Sequence, residues 1–359
     1  MRELFARDSR TKEQKRDWVR RFESPGNRRA ILGTNEWAAT IADLLDIEYF
    51  IDDFSALNEF RGKPIVRRHD ADREVMTLTT NIVGRPLTAR EVVRNCAKSH
   101  LDYYSYLQHT KLPVRRIEYL SDDVYRMEWV QDALRRLRET LFDDVSVETL
   151  DRVIRLRRDL ELDSMVVFTD RQSEQYFEPF LKMKGDSTFL DVGAFDGYTT
   201  EMALQKYGQQ LKCHLFEPGK VMVGRLRERF SHLTSVTIHP YGLADRRQSM
   251  SFDEHGSASK IGVGDSVVEV ETLDSFGLNE ADLIKVDIEG AEELFLEGAT
   301  ATISQCQPQI AIACYHANAQ IPNLFTRLTE LMPEARVYLR HYTEGFAETD
   351  LFFVPTRFW

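Results

Sequence analysis

Two stretches of the second half place acids and glycines where they could do chemistry. Asp191, Val192, Gly193, Ala194, Phe195, Asp196 and Gly197 follow the apolar run at 188–190. Gly193 permits a tight turn and close backbone approach. Gly197 would open a helix whose first amides face a ligand. Some 20 residues on come Phe216, Glu217 and Pro218. That is the spacing at which an acid takes a ribose diol. Pro218 is suited to start the next helix, and the alternative for Glu217 is an exposed or helix-capping acid. The second stretch is Lys285, Val286, Asp287, Ile288, Glu289, Gly290, Ala291 and Glu292. Acids and a lysine are costly to gather at one strand end unless they have a role. Tyr315 and His316 follow the next apolar run. A nucleoside pocket beside an ionisable cluster is the chemistry expected. Gly242, Ala244 and Asp245 follow a further strand, where they could edge an adenine ring, although alone they make only a turn.

The elements that must position these residues alternate regularly. Strands are expected at 187–192, 211–216, 234–239, 267–271, 282–287, 308–314, 335–341 and 349–354. Helices fit at 173–183, 197–207, 218–230, 290–297 and 319–331. Such alternation gives a parallel sheet covered on both faces, with ligands at the strands' carboxyl ends. The last two strands are joined too briefly for a crossover helix, so they should pair antiparallel. Upstream, residues 28–110 carry a smaller βαβ pattern: a strand at 29–33, a helix at 36–45 and strands at 48–52, 64–66 and 74–79. Arg90 to His100 and the aromatic stretch through Tyr106 should be helical. The charged helical stretch from Val114 to Leu162 reads as a connector with one packed face. The expected organisation is a small Rossmann-like domain at 1–112, a helical connector at 113–171 and a larger α/β domain at 172–359.

The chain has 359 residues and a formal net charge of -11, which disfavours a general nucleic-acid or anionic-membrane binder. The basic runs at 135–138 and 155–158 read as solvated helix faces. Four cysteines without metal-site or paired spacing suggest reduced thiols. No signal-like or membrane-spanning apolar run is visible, so a cytoplasmic location is expected. The glycine turn is not the dinucleotide pattern G-x-G-x-x-G. An acid at Asp191 would repel a pyrophosphate and suit a sulfonium ligand, although a dinucleotide oxidoreductase stays open on this ground alone.

The blocks 191–197, 216–218, 272–275 (Thr272, Leu273, Asp274, Ser275), 285–292 and 339–342 (Leu339, Arg340, His341, Tyr342), in that order, resemble the FkbM family of methyltransferases. Gln175, Tyr176 and Phe177 upstream, and Tyr315 and His316, look like the same family. The resemblance spans roughly residues 172–355. It implies a class I methyltransferase fold, Rossmann-like with a seven-stranded sheet and an antiparallel last strand. It implies S-adenosylmethionine as cofactor and O-methylation, with acceptors that are sugars, glycoconjugates or secondary metabolites. Carried over, Asp191, Gly193 and Gly197, with Ala194, Phe195 and Asp196 in the same turn, line the methionine and ribose side. Glu217 with Pro218 holds the ribose, Gly242, Ala244 and Asp245 approach adenine, and Asp287 lies near the reacting methyl. Ile31 to Gly33, Phe50 to Asp53 and Gly62 to Val66 resemble the half-Rossmann domains of nucleotide-sugar-binding proteins. A nucleotide-linked sugar is therefore a candidate partner there, though the turn has a single glycine, Gly33.

Methyl transfer to a hydroxyl needs alignment and a proton acceptor. His316 is the first candidate base; its alternative is a structural histidine. Glu289 and Asp287 are the second choice, with His341 weaker. Lys285 could steady developing charge, or simply pair with Asp287 or Glu289. Asp287, Glu289 and Asp265 could hold Mg²⁺, but a metal-free base is the preferred expectation. The segment 249–266, rich in glycine and serine, could be an acceptor loop. A non-catalytic binding module is the rival reading, and a homo-oligomer is compatible with the sequence.

Overall fold

The computed structural model describes residues 1–118, 120, 122–253, 260–261 and 266–359. It divides into two compact units. The first comprises residues 1–126, 148–172 and 342–347, the second 127–147, 173–341 and 348–359. Residues 113–171 therefore do not form a separate connector: their helices are shared between the units. In the second unit the helix Glu128–Thr140 packs on the helix Gln320–Leu331.

The first unit holds a sheet ordered β3-β4-β2-β1-β5-β6. Its strands are β1 Arg29–Leu32, β2 Tyr49–Ile51, β3 Glu59–Phe60, β4 Lys63–Val66, β5 Met76–Thr79 and β6 His100–Asp102. Every pair except β3–β4 is parallel. The chain runs outward from β1 in one direction and returns to β5 on its other side, which creates a switch point beside Gly33. Gly33 has φ 116°, and a Cβ there would meet Thr80 and Asn81 at 2.7 Å. The acid at the end of β2, Asp52, already accepts from Thr34 Oγ1 at 2.5 Å and from the amides of Phe54 and Ser55. The spacing predicts helix through residue 106, yet β6 interrupts it. Three residues are too few to show a period of two amid apolar neighbours.

The second unit is built on a seven-stranded sheet ordered β16-β17-β15-β14-β7-β8-β9. The strands are β7 Thr188–Val192, β8 Lys212–Phe216, β9 Val236–His239, β14 Leu283–Val286, β15 Gln309–Ala313, β16 Arg336–His341 and β17 Thr349–Val354. The last strand, β17, inserts between β15 and β16 and runs antiparallel to both. The other pairs are parallel. β7, β14, β15 and β17 are buried along their whole length. This explains their unbroken apolar runs: helices cover both faces.

The stretch at 267–271 belongs elsewhere. β13 Ser266–Glu271 lies in a second sheet ordered β10-β13-β11-β12, with β10 Gly242–Leu243, β11 Gln248–Asp253 and β12 Lys260–Ile261. Its Val268 and Val270 are buried while Val267 and Glu269 are exposed, the alternation of a one-faced sheet. The expected helix at 173–183 is absent. A single turn, Gln172–Glu174, precedes Tyr176 at φ 66°, and Pro179 follows. Of the segment 249–266, residues 254–259 and 262–265 lie outside the described residues, Asp265 among them. Among the described residues no helix is long and apolar enough to cross a membrane.

Candidate active site

At the carboxyl end of β7 the chain turns through Gly193 at φ 77°. A Cβ on Gly193 would stand 1.9 Å from the Asp287 carbonyl oxygen, so the turn and the end of β14 approach backbone to backbone. The amides of Gly193 and Ala194 both donate to the Phe216 carbonyl. Gly197, at φ 83°, starts the helix Tyr198–Tyr207. A side chain there would strike Phe230 and Leu226. Asp196 caps the Tyr198 amide, and its carbonyl accepts from Arg229.

Glu217, at the end of β8, folds back toward this turn. One carboxylate oxygen accepts the Phe195 amide at 3.0 Å and the other the Gly219 amide at 2.7 Å. Burial pushes its carboxyl up to about 7 against the pull of those two amides. Each oxygen retains a lone pair for a diol. Pro218 sits in the bend before the helix Lys220–Arg229, where its missing N–H costs nothing. Ala244 is buried, and its carbonyl comes within 2.0 Å of where a Cβ on Gly298 would lie. Gly242, in β10, is buried as well, and Asp245 pairs loosely with Arg246 at 3.6 Å.

Two residues are engaged with each other beneath the turn. Asp191 is fully buried, accepts the Thr200 hydroxyl at 2.7 Å and pairs with Lys285 at 3.1 Å. Lys285 pairs with neither Asp287 nor Glu289. Its ammonium also donates to the Gly193 carbonyl at 2.6 Å. Burial would lower its pKa, but Asp191 and Asp287 hold it raised, so it stays charged. The pair pins the turn from beneath, because side chains alternate along a strand and both of these point inward.

The acidic cluster forms around His316. The end of β14 delivers Asp287 and then Glu289 at φ 55°; the end of β15 delivers Tyr315 and His316. His316 Nε2 lies 3.4 Å from Glu289 Oε2 and 3.7 Å from Asp287 Oδ1. One ligand atom from each of the three residues falls within 4.8 Å of the others. Behind the ring, Nδ1 meets Glu292 Oε1 at 2.9 Å. Glu292 is fully buried and also accepts from the Ile288 amide and from Gln320. Burial alone would lower the pKa of His316, but Glu292, Asp287 and Glu289 outweigh it and raise it to about 9. The three acids thus favour the protonated ring over the free base. Tyr176 donates to Asp287 Oδ2 at 3.0 Å, and Gln175 donates to Glu348 at 2.9 Å. Burial, with Asp287 nearby, pushes the Glu348 carboxyl up. His341 lies apart, its Nδ1 against the Thr349 hydroxyl at 2.8 Å.

The sequence placed Glu292 in the acidic stretch and Tyr176 in a family-like block without assigning either a role, and it did not single out Glu348. The available signal was Glu292 at a helix start, four residues past Ile288. Backbone strain marks the same place. Tyr176, Phe195, Glu289 and Glu348 are four of the seven non-glycine residues with positive φ among the described residues. Such strain persists where surroundings over-determine it, commonly at functional sites.

Strand order, glycine turn and acidic strand ends define a class I methyltransferase fold. Residues 191–343 match the model of the methyltransferase FkbM domain. Over 98% of its length it is similar to the methyltransferase FkbM of Methylobacillus flagellatus KT, covering 94% of that chain at 22% identity and a TM-score of 0.74. An rRNA methylase from Streptococcus thermophilus shares 13% identity over 48% of this chain and 90% of its own, at TM-score 0.34. Aeropyrum pernix fibrillarin, with natively bound S-adenosyl-L-methionine, shares 10% over 51% and 71%, at TM-score 0.35. Likenesses as low as these last two bear on nothing further. No curated protein matches the chain.

Proposed function

We propose that the chain transfers the methyl group of S-adenosylmethionine to a hydroxyl, most simply that of a sugar or glycoconjugate. The observation that carries this reading is the contact between the Gly193 turn and the Asp287 carbonyl. It sets the glycine turn directly against the acidic cluster around His316. In this reading Glu217 takes the ribose hydroxyls, while Gly242, Ala244 and Asp245 edge the adenine. Asp287 and Glu289 border the reacting methyl and the acceptor oxygen. The displacement at carbon gains from that alignment. The acceptor's proton passes first to Glu289, which is 21% exposed. His316 becomes a base only when its own proton has been displaced. The switch point beside Gly33 in the first unit suits a nucleotide-linked sugar, although Asp52 is already engaged by three donors.

The test is radiolabelled methyl transfer from S-adenosylmethionine to panels of sugars, glycoconjugates and hydroxylated metabolites. It is backed by mass spectrometry of glycans from cells with and without the protein. Label in a sugar-containing fraction supports the reading. Label only in a non-sugar metabolite would replace the acceptor, and binding of cofactor without transfer to any class would favour a non-catalytic module.

A further inference from the structure

The Asp287, Glu289 and His316 group has features that methyl transfer by itself does not require. His316 is 5% exposed, yet among the described residues its Nε2 has no hydrogen-bond partner. Asp287 Oδ1, which faces it, is likewise buried without one. A buried polar atom left without a partner costs about 1–3 kcal/mol, and here two converge on one point.

The orientation of the ring is fixed from behind. Glu292 accepts from the Ile288 amide at 3.1 Å, the Gly290 amide at 3.4 Å and the Gln320 side-chain amide. A carboxylate surrounded by donors acts as an acceptor, so His316 Nδ1 carries the hydrogen between them. That turns Nε2 toward Asp287 and Glu289, where a bound ion would take the place of its proton. A histidine whose outer nitrogen is held by a carboxylate while its inner nitrogen faces two more acids is the arrangement of a metal-ligating imidazole.

We infer that Asp287, Glu289 and His316 bind a divalent first-row transition-metal ion. The spacing fits. Donors each ~2.1 Å from one ion stand about 3–4 Å apart, and Nε2 lies 3.4 and 3.7 Å from the two carboxylate oxygens. The donor set decides the kind of ion. Imidazole with carboxylates suits manganese, iron, cobalt or zinc, whereas Mg²⁺ prefers oxygen alone. Three protein ligands leave coordination positions open, as a catalytic centre requires. Tyr176 on Asp287 Oδ2 holds the second carboxylate in place while leaving Oδ1 for the ion. If the reading under Proposed function holds, an acceptor hydroxyl in an open position would lose its proton more readily. The metal site itself stands on the geometry above.

The test is calorimetric titration of the full-length protein, stripped with chelator, with Mn²⁺, Zn²⁺ and Mg²⁺, alongside S-adenosylhomocysteine on the same preparation. The inference predicts one Mn²⁺ or Zn²⁺ per chain, both bound more tightly than Mg²⁺. Glu289→Gln, a partly exposed position, and His316→Ala should each abolish that site. Glu292→Gln should weaken it by ~10–100-fold. Retained S-adenosylhomocysteine binding shows that a variant is folded. If His316→Ala fails that check, Glu289→Gln carries the result. Absence of one-to-one binding of either transition ion, tighter binding of Mg²⁺, or unchanged binding in Glu289→Gln would overturn the inference. Nucleoside binding without metal binding would leave the proposed methyl transfer standing. Metal binding without nucleoside binding would overturn the methyl-transfer reading alone.

Discussion

In the proposed reading, Glu217 is the residue on which cofactor binding turns. It clamps the Phe195 and Gly219 amides and keeps lone pairs for a diol. Losing charge-assisted hydrogen bonds worth ~1.5–3 kcal/mol, Glu217→Ala should weaken S-adenosylhomocysteine binding by about 10–100-fold. Its protonation also sets a pH dependence. Its carboxyl is raised from 4.5 to about 7 by burial. Between those values the folded chain holds a proton that the unfolded chain has released. The contribution of Glu217 to stability is therefore full below the lower value and is lost as pH rises through the upper one. The melting temperature of the wild type should fall relative to that of Glu217→Gln between about pH 5 and about pH 8. A constant difference across that range would contradict the assignment. The return of Glu217 to the turn was legible from spacing, since it lies 22 residues past Phe195, whose amide it accepts. Asp191 and Lys285 were less so. Their mutual pair is a consequence of the β7–β14 register, Asp191 opposite Lys285, which no local pattern reveals. The role of Glu292 behind His316 escaped for a similar reason: its partners Gln320 and His316 lie 28 and 24 residues away.

Among the elements, the approach of the β7 turn to the end of β14 is the tightest constraint. Gly193→Ala would need both a left-handed alanine and a backbone shift at Asp287. It should cost about 3 kcal/mol or more in denaturant unfolding and abolish cofactor binding. A variant of wild-type stability would show that the turn is looser than described. The strands of the main sheet were legible because burial on both faces makes continuous apolar runs, as in β14 and β15. The sheet to which β13 belongs was not. Its alternation at Val267–Val270 signals one solvated face, but not which neighbours it pairs with. The segment after Gln172 misled because Tyr176 and Phe177 mimic helical period, while the positive φ of Tyr176 breaks it.

At the scale of the whole molecule, segments distant in sequence complete each unit. In the second, Asp143 and Ser146 receive the Arg340 guanidinium at 2.7 Å each, and Ser146 accepts the Leu339 amide. Leu141 bridges to Val337 at the edge of β16. An expressed fragment 172–359 lacks these partners, leaving Arg340 with Glu178 at 3.7 Å as its remaining acidic partner and a sheet edge open. It should melt below fragment 127–359 and aggregate more readily; equal melting would contradict that dependence. A contiguous connector was the natural expectation from charge and periodicity. Which sheet each helix joins is decided by long-range contacts, and these are not written in either property.

The central claim is that a nucleoside cofactor seats between the Gly193 turn and Glu217. Calorimetric titration of S-adenosylhomocysteine into the full-length protein and into Glu217→Ala tests it most directly. The account predicts one-to-one binding by the wild type and a clear loss of affinity in the variant. No binding by the wild type, or equal affinity in the two proteins, would contradict it.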